Sequence, residues 1–303
     1  MTVKPPEDSL IGAVEAGGSK FQCALVRGDG QVLADRRIPT TDPGETLARV
    51  LGFFAEAQHR LGAARAFGIG TFGPVDLDPG SPTYGRLLTT PKPGWAGTDV
   101  RQALIERFER PVAIDTDVNA AALAEARCGA GRGLRSLVYV TVGTGIGGGV
   151  VQDGRTLHGS THPEMGHILV RRDPRDAGFA GVCPFHGDCL EGLASGTAIE
   201  ARWGARLDAL ATSTDALDLI GGYLAQLVVS IALLTACERI VIGGGVMTHG
   251  ALLPRIRNAA SRFINGYLPV ARADPTLEAY LVPPALGERS GIIGAALLAQ
   301  RML

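Results

Sequence analysis

The sequence predicts an α/β fold built from two similar halves. Short apolar runs alternate with longer segments of helical spacing, which indicates strands and helices arranged in layers. A unit of strand, glycine-rich loop, strand and Asp-Gly turn occurs near residue 10 and again near residue 136. The 303 residues are also enough for two domains with separate cores.

In the first half, apolar runs predict strands at residues 10–15, 21–26, 31–38, 66–71 and 111–115. The loop Ala16-Gly17-Gly18-Ser19-Lys20 separates the first two strands, and Gly28-Asp29-Gly30 is typical of a hairpin turn before the third. Apolar residues at helical spacing predict a helix over residues 43–61.

The second half repeats this order. Strands are predicted at residues 136–142, 148–151, from 155, and at 239–242, and helices at 215–237, from about 252 and at 291–301. Gly143-Thr144-Gly145-Ile146-Gly147 is the second glycine-rich loop, and Asp153-Gly154 is the second turn. Two unrelated hairpins would also explain the turn residues, but a duplicated domain accounts for the whole pattern.

Composition argues against several classes of protein. A net charge of −1 leaves no basic excess for nucleic-acid binding. The polar first nine residues predict no signal peptide, and the apolar stretch at 224–237 is too short and too polar for a membrane span. Five cysteines, two of them three residues from a histidine, favour metal binding in a reducing compartment. We therefore expect a cytoplasmic protein with no membrane or nucleic-acid partner.

Both glycine-rich loops are candidates for phosphate binding. Neither has the Walker A spacing, and the glycines at 143, 145 and 148 match a dinucleotide motif in spacing only, because a strand is expected to follow. Glycine, serine and threonine offer backbone N–H groups and hydroxyls to anions. Each loop alone is also explained as a simple turn. Taken with Gly243-Gly244-Gly245, the pair predicts a nucleotide site.

A polar segment follows the strand at 111–115 and precedes an alanine-rich helix. Acidic side chains at the carboxyl end of a strand point toward the ligand crevice of an α/β fold. A kinase that acts on an alcohol needs a carboxylate to accept the hydroxyl proton. Asp117 is the candidate base, and Asn119 is a candidate contact to a sugar hydroxyl. Either residue is also explained as a helix N-cap.

Cys183-Pro184-Phe185-His186-Gly187-Asp188-Cys189 places three metal-binding side chains within seven residues. A Cys₂His₂ set is a preferred structural zinc geometry, and on spacing alone either His162 or His167 completes it. The other cysteines are typical of isolated thiols in a protein core. The sequence therefore predicts a zinc-stapled loop.

These motifs together resemble the ROK family (repressors, open reading frames and kinases), in particular its bacterial, zinc-containing fructokinase branch. The resemblance covers nearly the whole chain. Besides the cysteine loop, its motifs are Glu15-Ala16-Gly17-Gly18-Ser19-Lys20, Phe72-Gly73-Pro74-Val75-Asp76, Thr90-Pro91-Lys92-Pro93-Gly94-Trp95, Thr116-Asp117-Val118-Asn119-Ala120-Ala121-Ala122, Gly143-Thr144-Gly145-Ile146-Gly147, His162-Pro163-Glu164-Met165-Gly166-His167, Glu191-Gly192-Leu193-Ala194-Ser195-Gly196 and Gly243-Gly244-Gly245-Val246.

The resemblance implies a duplicated actin-like ATPase fold of the ribonuclease H-like class, with two domains around a cleft. A small domain would comprise residues 1–117 and about 290–303, and a larger one residues 118–289 with a zinc loop at about 162–191. It also implies ATP-dependent phosphorylation of D-fructose at the 6-hydroxyl, with Mg²⁺ on the ATP phosphates and structural Zn²⁺. A homodimer is implied by the resemblance alone.

The resemblance also assigns residues. Asp117 matches the general base, and Glu164 and His167 match a Glu-x-Gly-His motif that holds sugar hydroxyls and whose histidine binds zinc, which favours His167 over His162. The expected ATP-binding residues are Gly17, Gly18, Ser19, Lys20, Gly143, Thr144, Gly145, Gly244 and Gly245. The expected sugar contacts are Asn119, Glu164, His167, Glu191, Gly73 and Trp95, and the expected zinc ligands are His167, Cys183, His186 and Cys189.

Three positions depart from the wider family. Glu15 and Ser19 stand where many members have Asp and Thr, and His186 stands where the glucokinases and repressors have a third cysteine. Glu15, His186 and the Pro-Lys-Pro-Gly-Trp segment look like the fructokinase branch, while the role of Glu15 toward a metal stays open. The alternatives are a kinase for mannose, glucose or an amino sugar, and a sugar-sensing regulator without turnover. Asp117 and the lack of a DNA-binding segment before the first loop argue against the regulator.

Overall fold

The computed structural model of the protein describes residues 9–90, 92–210 and 213–303. Residues 1–8, within the stretch predicted not to be a signal peptide, and Pro91 of the Pro-Lys-Pro-Gly-Trp segment lie outside the described residues. The chain divides into two compact units. The first contains the chain up to Arg127 together with Arg155–His162 and Glu288–Leu303, and the second contains Cys128–Gly154 and Pro163–Gly287.

The regular elements of the described residues are ten strands and nine α-helices, with five short 3₁₀ helices. The strands are β1 (Leu10–Ala16), β2 (Lys20–Arg27), β3 (Val32–Pro39), β4 (Ala66–Thr71), β5 (Val112–Thr116), β6 (Ser136–Val142), β7 (Ile146–Gln152), β8 (Arg155–Thr156), β9 (Arg239–Gly243) and β10 (Leu281–Val282). The helices are α1 (Pro43–Leu61), α2 (Val100–Phe108), α3 (Asp117–Cys128), α4 (Leu190–Ala194), α5 (Gly196–Trp203), α6 (Thr214–Thr235), α7 (Leu252–Ile264), α8 (Pro269–Ala273) and α9 (Ser290–Gln300).

The two sheets have the same strand order, and β2-β1-β4-β5 and β7-β6-β9-β10 have the same relative strand directions. In the first, the order is β3-β2-β1-β4-β5, with β1 antiparallel to β2 and parallel to β4, which is parallel to β5. In the second, read from its other edge, the order is β8-β7-β6-β9-β10, with β6 antiparallel to β7 and parallel to β9, which is parallel to β10. The predicted duplicated α/β fold is therefore confirmed.

Helix α9 packs against the sheet and helix α3 of the first unit. Gly294 lies against the backbone of Ala120, and a Cβ at this glycine would overlap that backbone. The hydroxyl of Ser290 donates to the carboxylate of the buried Glu125 at 2.8 Å. These contacts hold α3 in the first unit, which continues to Arg127. The predicted domain boundary at residue 117 stays a prediction.

Helix α6 is mostly buried, as its apolar sequence predicts. By length and composition it is the one helix of the described chain that could cross a membrane, but 61% of its most apolar stretch is buried inside the structure. Leu217, Leu224 and Ile231 of this helix belong to the core of the second unit. Helix α6 is therefore a core helix of that unit.

Candidate active site

The first glycine-rich loop joins two antiparallel strands through three residues. Strand β1 ends at Ala16 and β2 begins at Lys20, so Gly17, Gly18 and Ser19 form the connection. The Gly17 N–H donates to the Lys20 carbonyl at 3.0 Å, and Gly18, Ser19 and Lys20 are exposed. The loop is a tight hairpin that presents its backbone at the carboxyl end of β1.

The second glycine-rich loop has the same construction. Gly143, Thr144 and Gly145 join β6 to β7, and the Gly143 N–H donates to the Gly145 carbonyl at 2.9 Å. Thr144 is exposed. Because a strand follows this loop, the glycine spacing at 143, 145 and 148 is not a dinucleotide-binding motif, as predicted.

Helices α4 and α5 fix the second loop. The Gly196 N–H at the start of α5 donates to the Gly143 carbonyl at 2.7 Å. The Glu191 carboxylate in α4 accepts from the Ile146 N–H at 2.8 Å. Glu191 was expected from sequence only as a sugar contact, so its hydrogen bond to the loop is a contact that spacing alone does not predict.

The third glycine cluster lies against the second loop. Strand β9 ends at Gly243, and Gly244 has a φ of 97°, which favours glycine. A Cβ at Gly244 would overlap the backbone of Val142, the last residue before the second loop. The second unit therefore brings together the predicted ATP-binding residues of both clusters.

Asp117 is the first residue of α3, directly after β5. The Thr116 hydroxyl accepts from the Asn119 N–H at 3.1 Å, which is the bond of a helix N-cap. The Asp117 carboxylate is partly exposed and accepts from the Val118 N–H at 2.8 Å. The capping bond to the third helical residue therefore belongs to Thr116, a residue that the sequence interpretation missed, and not to Asp117 or Asn119.

Asp115 lies two residues before the candidate base and is buried. Its Oδ1 accepts from the Asn119 amide nitrogen at 2.7 Å and lies 3.0 Å from Nε2 of His158, and its Oδ2 accepts from the Thr156 hydroxyl at 2.9 Å. The hydrogen bond that His158 donates to Asp115 raises the pKa of His158 above its ordinary value, although partial burial of the ring opposes the shift. Asp115, Thr156 and His158 were not among the predicted site residues.

Glu15 lies at the end of β1, beside the amino end of α9. Its carboxylate accepts from the Ile292 N–H, and a side chain at Gly291 would overlap the carboxylate. Burial raises the pKa of Glu15, while the charge of Lys20 opposes that rise. The carboxylate thus lies where the helix dipole favours negative charge.

His162 is not part of the metal cluster. It is buried, and its Nε2 accepts from the Val75 N–H at 3.3 Å, which assigns the ring proton to Nδ1 in the neutral form. A Cβ at Gly73 would lie 3.3 Å from the His162 ring, so Gly73 leaves room for this histidine. The peptide between Gly73 and Pro74 is cis.

Trp95 does not line an open sugar site. It has no exposed surface, its ring packs against Phe21 and Phe72 with centroids 5.4 and 5.6 Å away, and its indole N–H donates to the Thr41 carbonyl at 2.8 Å. Large aromatic side chains contribute most when fully buried. The expectation that Trp95 contacts the sugar is therefore corrected: Trp95 is a core residue, and its indole N–H holds the backbone at Thr41.

Four side chains of the second unit form a candidate metal centre. They are His167, Cys183, His186 and Cys189, and their ligand atoms all lie within 4.8 Å of one another. Nδ1 of His167 lies 3.7 Å and 3.5 Å from the two sulfurs, and Nδ1 of His186 lies 3.6 Å from Cys183 Sγ. Tetrahedral zinc with its usual bond lengths separates sulfur from nitrogen by about 3.5 Å. The residues and their spacing fit zinc.

Two carboxylates accompany the metal cluster. Oε1 of Glu191 lies 3.8 Å from Nε2 of His167, the ring nitrogen that faces away from the sulfurs. This separation is within ion-pair range but is longer than a hydrogen bond. Glu164 retains exposed surface, but partial burial of its carboxyl, assisted by the charge of Glu191, raises its pKa to about 7. Near neutral pH this carboxyl can therefore both donate and accept hydrogen bonds to hydroxyls.

Comparison with known proteins gives concordant results. The family model described as "ROK family" matches residues 11–302. A fructokinase of Zymomonas mobilis is 46% identical over 296 residues, which are 97% of this chain and 97% of that protein. A fructokinase of Pediococcus pentosaceus is 41% identical over 294 residues, which are 97% of this chain and 99% of that protein.

A solved structure also resembles this chain over nearly its full length. The ROK hexokinase of Thermus thermophilus superimposes with a TM-score of 0.75 at 28% identity, over 96% of this chain and 97% of that chain. The resemblance therefore extends from sequence motifs to the fold over nearly the whole chain.

Proposed function

The chain belongs to the ROK family, and from that membership we propose that it is an ATP-dependent fructokinase that phosphorylates D-fructose at the 6-hydroxyl. The observation that carries the proposal is identity of 41–46% over 97% of the chain to two fructokinases. The glycine-rich loops after β1 and β6 and the position of Asp117 after β5 support the proposal. Kinases for mannose, glucose or an amino sugar are the alternatives.

Asp117 acts as general base in this proposal. Its carboxylate accepts the proton of the fructose 6-hydroxyl as that oxygen attacks the γ-phosphorus of ATP. The bond between the γ-phosphorus and the β–γ bridging oxygen breaks, and ADP leaves as fructose 6-phosphate forms. The position of Asp117 at the first turn of α3, with Thr116 supplying the cap, supports this role.

The two hairpin loops bind the ATP phosphates. Gly17, Gly18, Ser19 and Lys20 supply one set of donors, and Gly143, Thr144 and Gly145 supply the other. Gly244 and Gly245 border the nucleotide beyond the second loop. The substrate is MgATP, in which the cation offsets the charge of the phosphates. The hydrogen bonds from Gly196 and to Glu191 hold the second loop ready for this task.

In this proposal the sugar contacts are assigned to Asn119, Gly73, Glu164, His167 and Glu191. The exposed surface of Glu164 and its pKa of about 7 suit a group that exchanges hydrogen bonds with hydroxyls. Zinc on His167, Cys183, His186 and Cys189 would order the loop that carries His167 and would supply no reacting group. We further propose a cytoplasmic homodimer without a nucleic-acid partner.

A panel of hexoses tests the substrate assignment. The purified protein is assayed for ADP release with MgATP and fructose, mannose, glucose or an amino sugar. We expect the highest kcat/KM with fructose, since pockets that bind hydroxyls discriminate strongly between sugars. A higher kcat/KM with another hexose would overturn fructose as the substrate, and ADP release with none of them, despite sugar binding, would support a regulator.

A further inference from the structure

A short segment within the second half of the sequence carries groups that the proposed mechanism does not use. Arg155–His162 belongs to the first compact unit, although the chain on both sides of it belongs to the second. Thr156 and His158 of this segment both contact the buried carboxylate of Asp115, and His162 accepts from the Val75 N–H. The segment therefore delivers polar side chains to the end of β5, next to the candidate base.

The hydrogen bonds of Asp115 show which of its neighbours donate a proton to it. Its side chain is only 2% exposed, and an ionised carboxylate accepts but does not donate. The Thr116 N–H, the Asn119 amide and the Thr156 hydroxyl donate to it at 2.8, 2.7 and 2.9 Å. Nε2 of His158, 3.0 Å from Oδ1, must then carry its hydrogen toward Asp115.

This arrangement fixes the orientation of the Asn119 amide. Nδ2 of Asn119 donates to Asp115, and it also lies 3.3 Å from Nε2 of His158, which is itself a donor. A reversed amide would place the Asn119 carbonyl oxygen against the carboxylate, where two acceptors would repel. Asn119 therefore has one stable orientation, with Nδ2 toward Asp115.

The other end of the same amide has unused bonding capacity. Asn119 is fully buried, and its Oδ1 has no hydrogen-bond partner among the described residues. Buried side-chain acceptors normally have a donor. Because Oδ1 can only accept, a hydrogen-bond donor completes it, and a hydroxyl group is such a donor.

We propose that Asp115, Thr156 and His158 are positioning residues that hold Asn119 so that its Oδ1 accepts a hydrogen bond from a hydroxyl of the sugar substrate. This inference rests on the proposed function in its choice of a sugar as the source of the hydroxyl. His158 acts through Asp115 and Asn119 and does not touch the reacting atoms. The segment Arg155–His162 thereby contributes to sugar affinity.

The test separates sugar affinity from turnover in variants of His158. His158→Leu removes the donor to Asp115, whereas His158→Gln keeps an N–H of similar reach. We expect His158→Leu to raise the KM for the sugar roughly tenfold with kcat and the KM for ATP little changed, the signature of lost ground-state binding. His158→Gln should restore most of that affinity, and His59→Leu, at an exposed position of α1, should leave all three constants unchanged.

A double-mutant cycle tests whether His158 acts through Asn119. If it does, adding His158→Leu to Asn119→Ala raises the sugar KM no further than Asn119→Ala alone. Additive effects would overturn the proposal, and so would an unchanged sugar KM in His158→Leu. If His158→Leu does not fold, Thr156 provides the same test, because its hydroxyl donates to Oδ2 of Asp115. Thr156→Val then removes the donor and Thr156→Ser keeps it.

Failure of the fructose assignment can be distinguished from failure of the proposed positioning role. The unmodified enzyme is first assayed with the hexose panel, and the cycle is then run with the hexose that it phosphorylates best. If that hexose is not fructose, the substrate assignment fails while the positioning test proceeds unchanged. Loss of thermal stability alone, with an unchanged sugar KM in each folded variant, would reduce the cluster to a structural role and overturn the proposal.

Discussion

Three consecutive polar residues at the end of β5 have different surroundings and therefore different roles. Asp115 is buried within a hydrogen-bonded cluster, Thr116 caps α3, and Asp117 is partly exposed at the first turn of that helix. In a sequence, the same polar residue types indicate either a helix cap or a catalytic base, so the sequence does not separate the two roles. The hydrogen bond from the Asn119 N–H to the Thr116 hydroxyl shows that Thr116 is the cap, which leaves Asp117 as the candidate base.

Removal of the Thr116 hydroxyl should destabilise the protein. Thr116→Ala loses the cap and should lower the free energy of unfolding by about 1 kcal/mol, the typical cost of an N-cap, whereas Thr116→Ser should stay close to the original value. Urea denaturation of the three proteins measures the difference. Equal stability of the alanine and serine variants would contradict the assignment of the cap.

The interaction of His158 with Asp115 should make stability depend on pH. The folded protein raises the pKa of His158, so the stabilisation is fully present below the unfolded value near 6.5 and is lost as pH rises through the raised value. The groups acting on His158 are Asp115, which raises its pKa, and Arg301, which lowers it. The Tm advantage of the unmodified protein over His158→Gln should therefore shrink with rising pH across that range. A constant or growing difference would contradict this account.

At the scale of elements, close backbone contacts position α9 on α3. Gly294→Ala would force a Cβ into the Ala120 backbone, and we expect a loss of about 1–3 kcal/mol in unfolding free energy, as for other overpacked sites. Gly52 in α1 is the matched control, because no atom lies within 4 Å of a Cβ added there. Gly52→Ala should stabilise the protein by about 0.4–1 kcal/mol. Thermal and urea unfolding of both variants distinguish the two directions.

The predicted zinc centre connects the segment that carries His167 to helix α4 of the second unit. Cys189 immediately precedes α4, and Glu191 in that helix contacts both His167 and the Ile146 N–H of the second loop. Loss of the metal is therefore expected to disorder α4 and, through the hydrogen bond of Glu191, the second glycine-rich loop.

Metal content tests this connection. Protein purified without added metal should hold about one zinc per chain, and Cys183→Ser should lose it, with faster hydrogen exchange over residues 163–196 and higher KM values for sugar and ATP. Cys128 lies outside the cluster and is exposed, not in the core as its sequence context predicted, so Cys128→Ser should retain the metal. Full activity after complete removal of zinc would contradict a structural role.

At the scale of the whole molecule, local sequence patterns predicted the duplicated fold. The strand–loop–strand units around residues 17–19 and 143–145 are short-range features whose turn residues indicate a hairpin directly. Helix α6 was predicted from continuous apolar content. Helices α2 and α5 were not predicted, since α2 has weak apolar periodicity and α5 follows the loop that the cysteines dominate.

Motifs supplied the candidate site residues, but the hydrogen bonds that connect them were not predicted. Spacing placed Cys183, His186 and Cys189 in one cluster and left the second histidine open; the family resemblance favoured His167, which is the histidine that lies with them. The contacts of Thr156 and His158 with Asp115 join residues more than 40 positions apart, and no local pattern encodes such a pairing. Trp95 illustrates the opposite error, because a motif position does not reveal whether an aromatic side chain faces a ligand or the core.

The most direct test of the central claim is turnover of Asp117→Asn with saturating fructose and MgATP. Asparagine keeps the size and hydrogen-bonding reach of the side chain but cannot accept the hydroxyl proton as a base. We predict that kcat falls roughly 10²–10⁴-fold, while sugar and nucleotide binding and the Tm change little. Near-normal turnover by a correctly folded Asp117→Asn variant would contradict the account.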